Sequence, residues 1–63
     1  MPMKVREVVQ LLVRNGWTEV RGRGSHRHFK HPYQRELVTV PGNEGKELAV
    51  GTLNAILKKA GLK

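Results

Sequence analysis

The chain has 63 residues, with 12 lysines and arginines against 5 aspartates and glutamates, giving a formal net charge of +7. This length predicts one domain over residues 1–63 and excludes a deep, enclosed cofactor cavity, so an active site should lie on an open surface. The sequence has no cysteine, which excludes disulfides and thiolate metal sites, and its short apolar runs exclude a membrane span or signal peptide, so we expect a cytoplasmic protein.

The first predicted element is a helix over residues 4–15. Apolar residues recur there at the spacing of one helix face: Val5, Val8, Val9 and Leu12. Asn15-Gly16 predicts the end of this helix, because glycine tolerates the left-handed conformation that closes a helix. We interpret Trp17 as the apolar residue that folds back onto the last turn, rather than as a platform for base stacking.

The middle of the chain predicts a three-stranded antiparallel meander with strands at residues 17–21, 25–31 and 36–40. Turns are expected around Gly22-Arg23-Gly24 and between residues 31 and 35. A loop at residues 41–45 precedes a second helix, predicted over residues 51–60. Its apolar positions are again helically spaced: Leu53, Ile56, Leu57 and Ala60. The predicted fold is therefore α+β, in the order αβββα, with two helices on one face of the sheet.

The two-residue period of a strand sorts the side chains between the two sheet faces. The apolar strand residues should face the helices: Val20, Phe29, Val38 and Val40. Arg27 and His31 should lie on the same, helix-facing side of the sheet. The other strand residues should lie on the open face: Glu19, Arg21, His26, His28, Lys30, Leu37 and Thr39. That face therefore collects the basic side chains of Arg21, His26, His28 and Lys30. A slip of one residue in register would invert this assignment.

The net charge of +7 favours a polyanionic partner such as nucleic acid. A histidine on a basic, open face suits RNA chemistry, because a neutral imidazole can take the proton of a 2′-hydroxyl near neutral pH. Nearby lysine and arginine can neutralise the charge that develops on the phosphate. His26 and His28 also have a spacing that metal ligands use, but acidic neighbours are few and cysteine is missing, so no metal or other cofactor is predicted.

Several segments together resemble the HicA-type, or YcfA-like, toxins. They are Arg21-Gly22-Arg23-Gly24-Ser25-His26, His31-Pro32, Val38-Thr39-Val40-Pro41, Gly45-Lys46-Glu47-Leu48 and Gly51-Thr52-Leu53 with the closing Ala60-Gly61-Leu62. The resemblance runs from Val5 to Leu62. It implies a fold like that of double-stranded-RNA-binding domains and a toxin of a type II toxin–antitoxin system, which cleaves mRNA without a metal. It also implies a HicB-type antitoxin that covers the catalytic face.

The resemblance further implies that His26, in Gly-Ser-His, is the catalytic general base. Many members carry another histidine after the Val-x-Val-Pro segment, where this chain has Gly42-Asn43. On strand geometry, His28 is therefore the candidate for a second group, an acid that protonates the leaving oxygen. The candidates for RNA and phosphate binding are Arg21, Arg23, Ser25 and Lys30.

Two other functions fit the same composition. A non-catalytic RNA-binding module of the same fold would use the basic face but would not need a particular histidine. A protein-interaction module would use that face to bind an acidic partner. Loss of RNA cleavage when His26 is removed would distinguish an enzyme from the RNA-binding module. A steep salt dependence of RNA binding would distinguish a nucleic-acid site from the protein-interaction module.

Overall fold

The computed structural model describes residues 3–20, 26–43 and 45–63. The elements follow the order helix, three strands, helix. They are α1 (Val5–Arg14), β1 (Thr18–Val20), β2 (Arg27–His31), β3 (Gln34–Val40) and α2 (Val50–Lys59). The strands form one antiparallel sheet in the order β1-β2-β3. The predicted α+β class and the αβββα order are both confirmed.

The strands differ in length from the prediction. β3 begins at Gln34, two residues earlier than expected, because Pro32 and Tyr33 alone make the turn from β2. β1 has only three residues. Its predicted last residue, Arg21, lies outside the described residues, as does the predicted turn at Gly22-Arg23-Gly24.

One apolar core lies between the sheet and the two helices. Phe29 at the centre of β2 is fully buried. The buried residues are Val5, Val8, Leu12, Trp17, Phe29, Val38, Val40, Leu48, Leu53, Ile56 and Ala60. Helix and strand periodicity predicted most of them, but it did not predict Leu48, and the predicted Val9, Leu57 and Val20 are only partly buried. Both helices cover the Phe29 face of the sheet and leave the opposite face open.

Both helices end in the same hydrogen-bonded arrangement around a glycine. Gly16 has φ +91° and Gly61 has φ +74°, both in the left-handed region. The Trp17 amide donates to the Leu12 carbonyl across the end of α1, and the Leu62 amide donates to the Leu57 carbonyl across the end of α2. Trp17 is consequently folded back onto α1 and is 3% exposed, as its sequence position predicted.

The two glycines differ in their surroundings, which gives a matched test. A Cβ on Gly16 would lie 2.9 Å from Nε2 of His31, whereas a Cβ on Gly61 would meet no atom within 4 Å. We expect Gly61→Ala to lower the free energy of unfolding by about 1–2 kcal/mol through backbone strain alone. Gly16→Ala should cost a further ~1–3 kcal/mol, because the ring must also move. Urea titrations of both variants measure the difference, and equal midpoints would contradict the steric contact.

The register of β1 reverses two predicted side-chain directions. Glu19 pairs with Phe29, and Val20 pairs with His28, which itself pairs with Thr39. Directly paired residues share a face, so Glu19 lies on the helix side and the half-buried Val20 on the open face. The prediction had them the other way round. A strand of three residues takes its direction from its pairing with β2, and on the helix side Arg27 donates to both carboxylate oxygens of Glu19, at 2.8 and 2.7 Å.

A short backbone connection fixes the segment before α2. The Val5 amide donates to the Lys46 carbonyl, and the Leu48 amide donates to the Met3 carbonyl. Lys4 and Glu47 form an isolated antiparallel bridge between these two bonds. The start of α1 thus holds the chain that leads into α2, and so helps to place the first turn of α2 beside the end of β3.

Candidate functional site

An open groove of about 530 Å³ lies between β3 and α2, and His26 forms part of its wall. The remaining wall combines the end of β3 with one side of the helix: Val38, Thr39, Pro41, Gly51, Thr52, Ala55, Ile56 and Lys59. His26 immediately precedes β2 and is exposed. The sequence predicts this histidine on the open sheet face, but the structure places it in the groove beside α2. The reason is that β2 begins at Arg27, two residues later than predicted, so the pleat does not fix the direction of His26.

The helical wall of the groove carries one cation, Lys59, and the first turn of α2. Lys59 lines it near the end of α2, with its Nζ 3.9 Å from a carboxylate oxygen of Glu36. Thr52 lies in the first turn of α2, which contains no acidic residue and no side-chain cap. The leading amides of a helix have no partner within it and carry a partial positive charge. A phosphate in the groove would therefore meet favourable charge near His26.

His28 lies next to the groove but in a different environment. Its Nδ1 is 2.8 Å from Oγ1 of Thr39, its cross-strand partner on the open face. Thr39 also lines the groove, so this residue joins the groove to the open face. Within the described part of the chain, Nε2 of His28 has no hydrogen-bond partner. The imidazole is thus oriented through one nitrogen and available at the other.

His31 has a structural position. Its Nε2 is 3.1 Å from the Asn15 carbonyl oxygen, and its Nδ1 accepts a hydrogen bond from the Tyr33 amide, also at 3.1 Å. Its ring packs against Trp17, with 5.1 Å between centroids. Both ring nitrogens are therefore engaged in joining the end of α1 to the β2–β3 turn. The three histidines occupy three separate environments, and the residues that the structure describes contain no cluster of three or more side chains suited to a metal ion.

The predicted phosphate-binding residues divide into two groups. Lys30 is exposed and lies on the open face, paired with Thr18. Arg21, Arg23 and Ser25 lie outside the described residues, so their binding role stays a prediction. Arg27, which faces the helix side, forms an ion pair with Glu19. Its guanidinium lowers the pKa of Glu19 below the usual range, chiefly through the hydrogen bonds, so this carboxylate is charged at neutral pH.

Sequence reasoning did not assign a site role to the groove residues Thr39, Thr52 and Lys59. Thr39 was expected on the open face, and Lys59 was interpreted only as a cation favouring the end of its helix. The Gly51-Thr52 pair was the one available signal, because it belongs to the segments that carry the family resemblance. Periodicity could not find the groove, since it depends on how α2 packs along the edge of β3.

Comparisons with known proteins indicate the family to which the chain belongs. The profile of the family described as HicA toxin of bacterial toxin-antitoxin matches residues 5–62. The chain belongs to the HicA toxin family. No curated protein matches the chain at a significant level. A solved structure titled as a toxin–antitoxin complex from Streptococcus pneumoniae contains a similar chain, with 39% sequence identity, a TM-score of 0.82, and coverage of 97% of this chain and 100% of that one.

This likeness extends over nearly the whole chain. The resemblance drawn from the sequence is thereby confirmed at the level of family. Among the helices that the structure describes, neither is long and apolar enough to cross a membrane.

Proposed function

We propose that this HicA-family protein is the toxin of a type II toxin–antitoxin pair and acts as a metal-independent endoribonuclease on mRNA. The observation that carries the proposal is the position of His26, exposed in an open groove that also contains Lys59 and the first turn of α2. An imidazole beside groups that attract phosphate is the arrangement that cleavage of RNA by its own 2′-hydroxyl requires. An open groove also suits a long, flexible substrate.

In the proposed reaction, His26 takes the proton of the 2′-hydroxyl. The 2′-oxygen then attacks the adjacent phosphorus, and the bond from phosphorus to the 5′-oxygen breaks. The 5′-oxygen leaves after gaining a proton from an acid. The products are a 2′,3′-cyclic phosphate and a 5′-hydroxyl, and no atom from water or from a cofactor enters this step.

His28 is the proposed acid. Its Nδ1 is held by Thr39, which leaves Nε2 to carry a proton toward the leaving oxygen. Thr39 lines the groove, so this ring lies next to the path of the substrate. Anchoring through one nitrogen orients an imidazole without fixing the proton on the other, and this is what a general acid needs.

In this proposal, charged groups rather than an enclosed pocket bind the phosphate. Lys59 and the leading amides of α2 would contact the phosphate nearest His26, and Lys30 would contact a neighbouring one on the open face. The proposed phosphate ligands in the preceding loop are Arg21, Arg23 and Ser25. These groups stabilise the charge that grows on the phosphate oxygens during attack.

The proposed protein partner is a HicB-type antitoxin that covers the His26 groove. Its support is the family together with the similar chain in a toxin–antitoxin complex. A chain of net charge +7 would favour an acidic surface on that partner. Covering the groove would exclude RNA from His26.

The proposal is tested by incubating the protein with single-stranded RNA in the presence of EDTA. We expect cleavage, with 2′,3′-cyclic phosphate ends on the upstream fragments. The same sequence with 2′-O-methyl groups throughout should bind but stay intact, because its 2′-oxygens have no proton to lose. Binding of unmodified RNA without any cleavage would contradict the proposal and support the non-catalytic RNA-binding alternative.

A further inference from the structure

Gly51 is a glycine that the fold of this chain does not require. It lies in the first turn of α2, without the left-handed backbone conformation that Gly16, Gly42 and Gly61 adopt. A Cβ on Gly51 would meet no other element of the protein within 4 Å, so packing does not exclude a side chain. Glycine also disfavours a helix more than any residue except proline. Local conformation and packing would therefore both accept alanine at this position.

Gly51 contributes to the wall of the groove that contains His26. Because glycine has no side chain, the wall at this point is the backbone of α2 itself, and the space that a Cβ would enter is empty. Lys59 lies in the same helical wall, and none of the described residues that line the groove has a carboxylate. The wall thus combines an uncovered backbone with a positive charge, so an anionic chain can approach α2 closely at Gly51.

We propose that the sugar–phosphate backbone of bound RNA lies directly against α2 at Gly51, and that the absence of a side chain there lets the strand approach His26. This inference rests on the proposed function and adds a substrate-contacting position to it. An RNA strand is favoured over a protein segment because the groove is open, has a histidine and a lysine in its wall, and belongs to a chain of net charge +7. Close approach of the protein backbone to a ligand is a use for which glycine is preferred over every other residue.

Gly51→Ala should change stability and RNA affinity in opposite directions. The added methyl group removes backbone freedom from the unfolded chain and meets no other element in the folded one, so the thermal midpoint should rise by roughly 2–8 °C. The same methyl group enters the space proposed for RNA, so the affinity for RNA should fall. A glycine with only a structural role would not give this combination, because its replacement would leave the affinity unchanged or lower both properties.

A larger side chain should weaken RNA binding further. Gly51→Leu places a good helix former at an exposed position, so the fold should persist. We expect its RNA affinity to be roughly 5- to 150-fold below that of the wild-type protein, the range for overfilling a packed contact. Val50→Leu is the matched control, because Val50 belongs to the same turn, is 60% exposed and does not line the groove. This control should bind RNA like the wild-type protein.

The probe is a labelled, single-stranded 2′-fluoro oligoribonucleotide of about 8 nucleotides, within the range of site sizes of small single-strand binders. Its strands lack the 2′-hydroxyl and cannot be cut by the proposed reaction, so binding is measured independently of catalysis. Fluorescence anisotropy gives the affinity, and thermal unfolding followed by circular dichroism gives the midpoint on the same samples. If leucine disturbs the fold, the smaller change Gly51→Ala decides the test.

Equal RNA affinity of the wild-type protein and the folded Gly51 variants would overturn the inference, and so would an equal loss in Val50→Leu. Weaker binding of the antitoxin by Gly51→Leu, with RNA binding unchanged, would also overturn it and would assign this wall to the protein partner. A wild-type protein that binds no RNA would overturn both this inference and the proposed function. A loss of affinity confined to the Gly51 variants, in a protein that cuts no RNA, would refute the ribonuclease while supporting the contact at Gly51.

Discussion

His26→Ala should lose RNA cleavage by roughly 10²–10⁴-fold while keeping its fold and nearly all of its RNA affinity. The magnitude is that of a general base removed from a site whose other groups remain. The fold should persist, because His26 is exposed and precedes β2 rather than packing in the core. Initial rates on one labelled RNA measure cleavage. Circular dichroism and fluorescence anisotropy on the same samples measure the fold and the RNA affinity.

Chemical rescue distinguishes a base from a residue that only binds phosphate. The groove is open to solvent, so free imidazole can reach the space that His26→Ala leaves. We expect added imidazole to restore part of the cleavage rate, whereas the same concentration of a non-basic solute should not. A folded variant that cuts RNA at the wild-type rate would remove His26 from the mechanism.

Phe29→Ala should destabilise the protein by about 3–5 kcal/mol, the cost of truncating a fully buried aromatic side chain. A folded domain has roughly 0.05–0.15 kcal/mol of stability per residue, which is about 3–9 kcal/mol for a chain of this length. The loss therefore approaches the whole free energy of unfolding. Phe29 belongs to a buried cluster that contains side chains of both helices and of β3, so its truncation leaves a cavity among them.

Tyr33→Ala is the matched control for this substitution. It removes an aromatic ring of similar size that is 88% exposed, so the free energy of unfolding should change by about 0.5 kcal/mol or less. Urea titrations followed by circular dichroism compare both variants with the wild-type protein. A Phe29→Ala protein with a midpoint close to that of Tyr33→Ala would contradict the central place of Phe29 in the core.

Much of the fold could be predicted because short-range rules decide it. The apolar spacing of Val5, Val8 and Leu12 defines one side of α1, and glycines at positions 16 and 61 close the helices. Phe29 was assigned to the core because it is the large apolar residue of β2. These features depend on local periodicity and on glycine's backbone freedom, which a sequence displays directly.

The candidate site was predictable only in part. The resemblance identified His26, and its chemistry follows from the residue type. The residues around His26 in the groove could not be predicted from the sequence. Thr39, Thr52 and Lys59 come from distant parts of the chain and meet only when α2 packs along β3. Arg21, Arg23 and Ser25 remain predictions, since they lie outside the described residues.

The sequence by itself determined the family, the αβββα order and most residues of the core. The tertiary structure alone decided the register of β1, which puts Glu19 beside Arg27 on the helix side and Val20 on the open face. A three-residue strand has too little alternation of its own to fix its direction, so pairing with β2 determines it. That pairing moves the carboxylate of Glu19 away from the open face, on which Lys30 is exposed.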